Sequence, residues 1–171
     1  MNKPWSKLAG VSLFALSAGL PVPGVAADLA EATAWHARVN RPVHKAHHWT
    51  WTLRTIERRE DRLVLALAFR NNGNNKRPIL LDADFMNSVV LVDDAAQQAY
   101  KLVSVEGISA EMSQVARKRT GESVFVFEYP HQSTKVRFSS RWLTMFMANG
   151  AASIIDVAFD VSIPPPGAKP G

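Results

Sequence analysis

The run from Arg62 to Asn72, R-L-V-L-A-L-A-F-R-N-N, constrains the fold of this chain more than any other stretch. Successive side chains of an extended backbone point to opposite sides, so Leu63, Leu65, Leu67 and Phe69 share one face and Val64, Ala66 and Ala68 share the other. An apolar period of two with large residues on one side reads as a central β-strand. Arg62 and Arg70 bracket it with charge. Asn71-Asn72-Gly73-Asn74-Asn75 ends it, since Asn and Gly tolerate turn conformations that strands exclude.

The segments around this run repeat the pattern. Trp49, Trp51 and Leu53 alternate with polar residues, and Arg58-Arg59-Glu60-Asp61 turns them into the central strand. Trp buries much apolar area, so Trp49 and Trp51 read as core rather than as a sugar-stacking surface, and Trp142 reads as core or rim. Further strands are expected at 78–81, 85–92, 99–103, 122–129, 135–139, 142–147 and 154–163, with Asn149-Gly150 as a hairpin turn. Segment 106–121 reads as irregular. Short strands at close spacing, with no helices between them, predict an all-β antiparallel sandwich of about seven to nine strands. The one helical pattern is Asp28 to Val39, with Asp28 as cap and Ala32, Trp35 and Val39 as a narrow stripe ended by Pro42.

The N-terminus reads as an address. Lys3 and Lys7 precede an uncharged apolar run, Leu8 to Leu20, then Pro21, Pro23 and the small residues Val25-Ala26-Ala27. This is the pattern of a secretory signal peptide cleaved after Ala27. The run falls short of the roughly 20 residues a membrane span needs, so no transmembrane span is expected after cleavage. The expected organisation is a signal peptide over 1–27, a short helix and His-rich linker over 28–47, a β-sandwich over 48–164 and a tail over 165–171. The chain contains no cysteine, so no disulfide supports the fold, and apolar packing must. Residues 28–171 hold 18 Lys and Arg against 15 Asp and Glu, a mild cationic excess that suits an acidic envelope partner better than nucleic acid.

One resemblance adds to this reading. A strand ending in Asn71-Asn72-Gly73, then V-V-L-V-D-D (Val89 to Asp94) with Tyr100 shortly after, then a Gly121-led strand V-F-V-F-E-Y-P, resembles uncharacterised immunoglobulin-like domains that bacteria export. The similarity covers Leu53 to Ile163. It implies an immunoglobulin-like sandwich in the periplasm or outside the cell, and it implies no functional residue.

Chemistry is sparse. No G-x-S-x-G, H-E-x-x-H or glycine-rich phosphate loop is present. Asp82 with Asp84, and Asp93 with Asp94, read as turn-forming carboxylates. Two clusters stand out. Arg117-Lys118-Arg119 lies in a stretch with no acid between Glu111 and Glu122, and is the expected contact for an anionic partner. His44, His47 and His48, with His36 upstream, could serve zinc, copper or nickel. The sequence therefore predicts a non-catalytic periplasmic or secreted binding or accessory module of the cell envelope. It would need no cofactor and would meet a protein or an anionic envelope polymer. The alternative is a periplasmic metal-handling protein using the segment from His36 to His48.

Overall fold

A computed structural model describes residues 35–107, 113–145 and 152–163. The elements in order are β1 (Trp35–Ala46), β2 (Trp49–Arg59), β3 (Arg62–Asn71), β4 (Arg77–Leu81), α1 (Phe85–Ser88), β5 (Val90–Asp93), β6 (Gln98–Tyr100), β7 (Leu102–Glu106), β8 (Ser113–Val115), β9 (Thr120–Glu128), β10 (Lys135–Met145) and β11 (Ala152–Ser162). Every pairing is antiparallel. One sheet runs β1-β2-β3-β9-β7. In the other, β10 pairs β11 along one side. Its other side is shared by β4 at the Trp142 end and β5 at the Arg137 end. The two sheets pack face to face as the expected antiparallel sandwich, with eleven described strands rather than seven to nine.

β3 is the central strand that its sequence predicts, hydrogen-bonded to β2 on one side and β9 on the other. Leu63, Leu65 and Leu67 are fully enclosed, and the small outer residues Val64, Ala66 and Ala68 are buried as well. The core it faces is aromatic. Trp142 of β10 meets Trp51 at 5.9 Å, Phe69 at 5.3 Å and Phe125 at 6.5 Å between ring centroids, in tilted or edge-on contacts. Such contacts place the positive ring edge against the negative face. The indole N–H of Trp142 donates to Ser140, and that of Trp49 donates to Thr144. Trp49, Trp51 and Trp142 are thus core residues. Gly121 sits opposite Phe69 in register, and a Cβ there would lie 2.3 Å from the Phe69 ring. Only glycine leaves that ring its place.

Four expectations need correction. The residues from Trp35 to Val39 form the start of β1, not a helix. Trp35 is buried and Ala37 and Val39 are half-buried, while His36, Arg38 and Asn40 are exposed, and Trp35↔Arg58 to Ala46↔Trp49 pair with β2. The alternation that fits a strand won because β2 offered a partner ladder. Consequently the segment from His36 to Ala46 is sheet rather than linker, and among the described residues the sandwich already includes Trp35. Segment 85–92 divides into α1 and β5, because Asp84 accepts from the Asn87 and Ser88 backbone and starts a helical turn. Segment 135–139 and the described part of 142–147 are one strand, β10, whose buried Ser140 accepts from the Trp142 indole; residues 146–147 lie outside the described residues. Segment 106–121 is not wholly irregular, since it contains β8 and the start of β9. The signal peptide, the first part of the helix pattern, the Asn149-Gly150 turn and the tail lie outside the described residues.

Candidate functional site

Three connections meet at one end of the sandwich: the β1–β2 turn, the β3–β4 loop and the β8–β9 turn. Asn71 and Asn72, the residues that end β3, tie them together. The Asn71 side chain is fully buried. Its Nδ2 donates to the Asn75 carbonyl at 2.8 Å and to the Val115 carbonyl at 3.0 Å, and its Oδ1 accepts from the Gly73 amide at 2.8 Å. Its backbone amide donates to the Arg119 carbonyl at 3.0 Å. A carboxamide suits this position because it carries two donors and an acceptor on one short side chain. Asn72 reaches the other way. Its backbone amide donates to the His48 carbonyl at 2.7 Å, and its Nδ2 donates to Thr50 Oγ1 at 2.8 Å. The Asn72 carbonyl accepts from Lys118 Nζ at 2.5 Å.

The β8–β9 turn that carries Arg117, Lys118 and Arg119 is therefore held rather than loose. The Arg119 amide donates to the Ala116 carbonyl at 3.1 Å, and Lys118 adopts a left-handed φ of 58°. All three cations are exposed, as the sequence predicts for consecutive like charges, which lose hydration if buried.

The topology adds cations that sequence reasoning missed. Segments 43–50, 70–78 and 113–121 hold Lys45, Arg70, Lys76, Arg77, Arg117, Lys118 and Arg119, and no Asp or Glu. The rest of residues 28–171 carries 11 Lys and Arg against 15 Asp and Glu. The mild overall excess is thus an asymmetry, with the positive charge gathered at one end. The first carboxylate inward from this end on β9 is Glu122, paired opposite Ala68. Lys45, Thr50, Arg70 and Thr120 stand in one row across β1, β2, β3 and β9. The sequence signal available was the absence of acids in each segment. What joins the segments is the strand order.

His44, His47 and His48 reach the same end. His44 is half-buried with its ring edge-on to Trp51, centroids 5.5 Å apart. His47 and His48 are exposed on the β1–β2 turn, with His47 at a φ of 52°. His36 pairs opposite Glu57 at the far end of β1, with 3.9 Å between Nδ1 and the carboxylate. Among the described residues, no three His, Cys, Asp or Glu side chains are grouped so that they could hold an ion.

The carboxylate pairs do structural work. Asp82 accepts from the Asp84 amide at 3.2 Å, and Asp84 accepts from the Asn87 side chain at 2.8 Å. With Arg141 and Asp156, themselves paired at 2.9 Å, they line an open cleft of about 500 Å³. Asp93 accepts from the Ala95 and Ala96 amides, both at 2.9 Å, and from Ser133, whose hydroxyl also meets Tyr100. The Ser133 hydrogen bond, then those amides, hold the Asp93 carboxyl below its ordinary range against the opposing effect of burial. Among the described residues, no helix is long and apolar enough to cross a membrane.

No protein-family model and no curated protein matches this chain. Solved structures similar to it include the GAE domain of yeast GGA1, at 13% identity over 74% of this chain and 100% of that one, with a TM-score of 0.40. A FixG-related protein from Vibrio parahaemolyticus is 11% identical over 67% of this chain and 96% of its own, with a TM-score of 0.34. The CooA pilin subunit from enterotoxigenic Escherichia coli is 8% identical over 61% and 81%, with a TM-score of 0.34.

Proposed function

We propose that this chain is an exported, non-catalytic binding module of the bacterial cell envelope, which meets an acidic partner through the cationic end of its sandwich. Export rests on the signal-peptide pattern over residues 1–27. The observation that carries the binding role is the convergence of seven Lys and Arg, with no Asp or Glu, on three segments that Asn71 and Asn72 fix together. Loops mounted on a rigid sandwich are a common place for recognition. A one-signed surface also raises the encounter rate with oppositely charged partners.

Retention on a heparin column at low salt tests this reading. The protein should bind and elute as salt rises, because exposed charges act over about 8 Å at physiological ionic strength and less above it. R117S/K118G/R119S should elute at clearly lower salt. Glycine is chosen at 118 because the φ of 58° there suits it. Passage of the unaltered protein straight through at low salt would defeat the proposal.

A further inference from the structure

Resting on that reading of the cationic end, we propose that its ligand is a linear polyanion lying across the end and held by several loops at once, not a compact single anion. The row Lys45, Thr50, Arg70 and Thr120 crosses four adjacent strands. Strands lie about 4.8 Å apart, so Lys45 and Arg70 stand about 10 Å from each other, and Arg119, next to Thr120 at the far end of the row, extends the cations to about 14 Å. Lys76 leads into β4 and Arg77 begins it, in the opposing sheet, about 10 Å away. There Arg77 pairs opposite Val115, at the base of the turn bearing Arg117, Lys118 and Arg119. The seven cations thus occupy an area of about 14 by 10 Å.

A single phosphate or carboxylate group can touch one or two of them. Salt screens those farther off than about 8 Å. Lys45, Arg70, Lys76 and the three turn cations are all exposed, so each contact alone is weak. A chain of repeated charges changes this, since after the first contact every further one forms at high effective concentration. The fixed loop arrangement lowers the ordering cost of such multipoint binding. Lys118 is held to the Asn72 carbonyl, and Asn71 locks the β8–β9 turn to the β3–β4 loop.

Calorimetric titration of the purified protein at low salt decides the matter. Orthophosphate, tripolyphosphate and long-chain polyphosphate should be compared at equal total phosphate, with a length series of polyglutamate in parallel. Affinity should tighten roughly a hundredfold or more from the single anion to the long chain, with most of the gain reached once the chain bridges the end. R117S/K118G/R119S and K45S/R70S should each weaken long-chain binding and flatten its dependence on length. Both variants keep Asn71 and Asn72, and unchanged thermal unfolding would establish that they fold. The two polymer series separate a phosphate-bearing chain from a carboxylate-bearing one. Orthophosphate binding as tightly as the long chain would overturn the extended-ligand inference while leaving the anion-contact reading intact. Binding of none of these anions would overturn both.

Discussion

Replacing Asn71 by Ala tests whether one buried amide holds the cationic end together. The side chain makes three short contacts, donating to the Asn75 and Val115 carbonyls and accepting from the Gly73 amide, beside a longer one of 3.5 Å to the Ala116 carbonyl. A protein hydrogen bond contributes about 0.5–1.5 kcal/mol net, so the three together contribute about 1.5–4.5 kcal/mol. The upper half of that range applies, because the bond to Val115 is buried and a buried carbonyl left without a partner costs about 1–3 kcal/mol. We expect a loss of about 3 kcal/mol, read by urea denaturation as a lower midpoint at unchanged slope. Asn71→Asp keeps the acceptor for Gly73 but turns a carboxylate toward two carbonyls, and should be at least as damaging at neutral pH. Polyanion affinity should also fall in Asn71→Ala, although no cation has been removed. A stability loss below about 1 kcal/mol would refute the hub.

Three further outcomes follow from the core and its edges. Leu65→Ala and Leu67→Ala, both at fully enclosed positions, should each cost about 2–5 kcal/mol in the same assay. Gly121→Ala should destabilise through overpacking, by about 1–3 kcal/mol or more, because its Cβ meets the Phe69 ring. The folded-state pKa of Asp93 is lowered, so its contribution is present above the unfolded carboxylate value of about 3.9 and is lost as pH falls from there toward the folded value. Thermal unfolding followed below about pH 4 should therefore decline less steeply in Asp93→Asn than in the unaltered protein.

Much of the fold was legible because β3 carries two signals at once, a large-residue face and a small-residue face. The tryptophan alternation before it and the Gly121-led strand after it fix its neighbours. The first strand was not legible. Ala32, Trp35 and Val39 fit a helical stripe, while Trp35, Ala37 and Val39 fit a strand equally well, and only pairing with β2 decides between them. The division at Phe85–Ser88 turns on a local contact, Asp84 accepting from the Asn87 side chain, that outweighs the apolar pattern around it. The candidate site was half legible. Arg117, Lys118 and Arg119 announce themselves by adjacency, but Lys45, Arg70, Lys76 and Arg77 are dispersed in sequence and meet only through the order β1-β2-β3-β9 and the β4–β8 pairing. His44, His47 and His48 are close in sequence, yet β-geometry turns His44 onto Trp51 and leaves the other two on the turn.

The most direct measurement compares two variants of equal net charge for association with a polyglutamate surface by plasmon resonance, at low and high salt. R117S/K118G/R119S removes three cations from the proposed contact. R54S/R62S/K101S removes three exposed cations elsewhere. If the cationic end is the contact, the first variant associates slowly and with a shallower salt dependence, while the second stays close to the unaltered protein, since charges at a contact steer encounter. Equal slowing in both would show that overall charge, and not this end of the sandwich, draws the partner in.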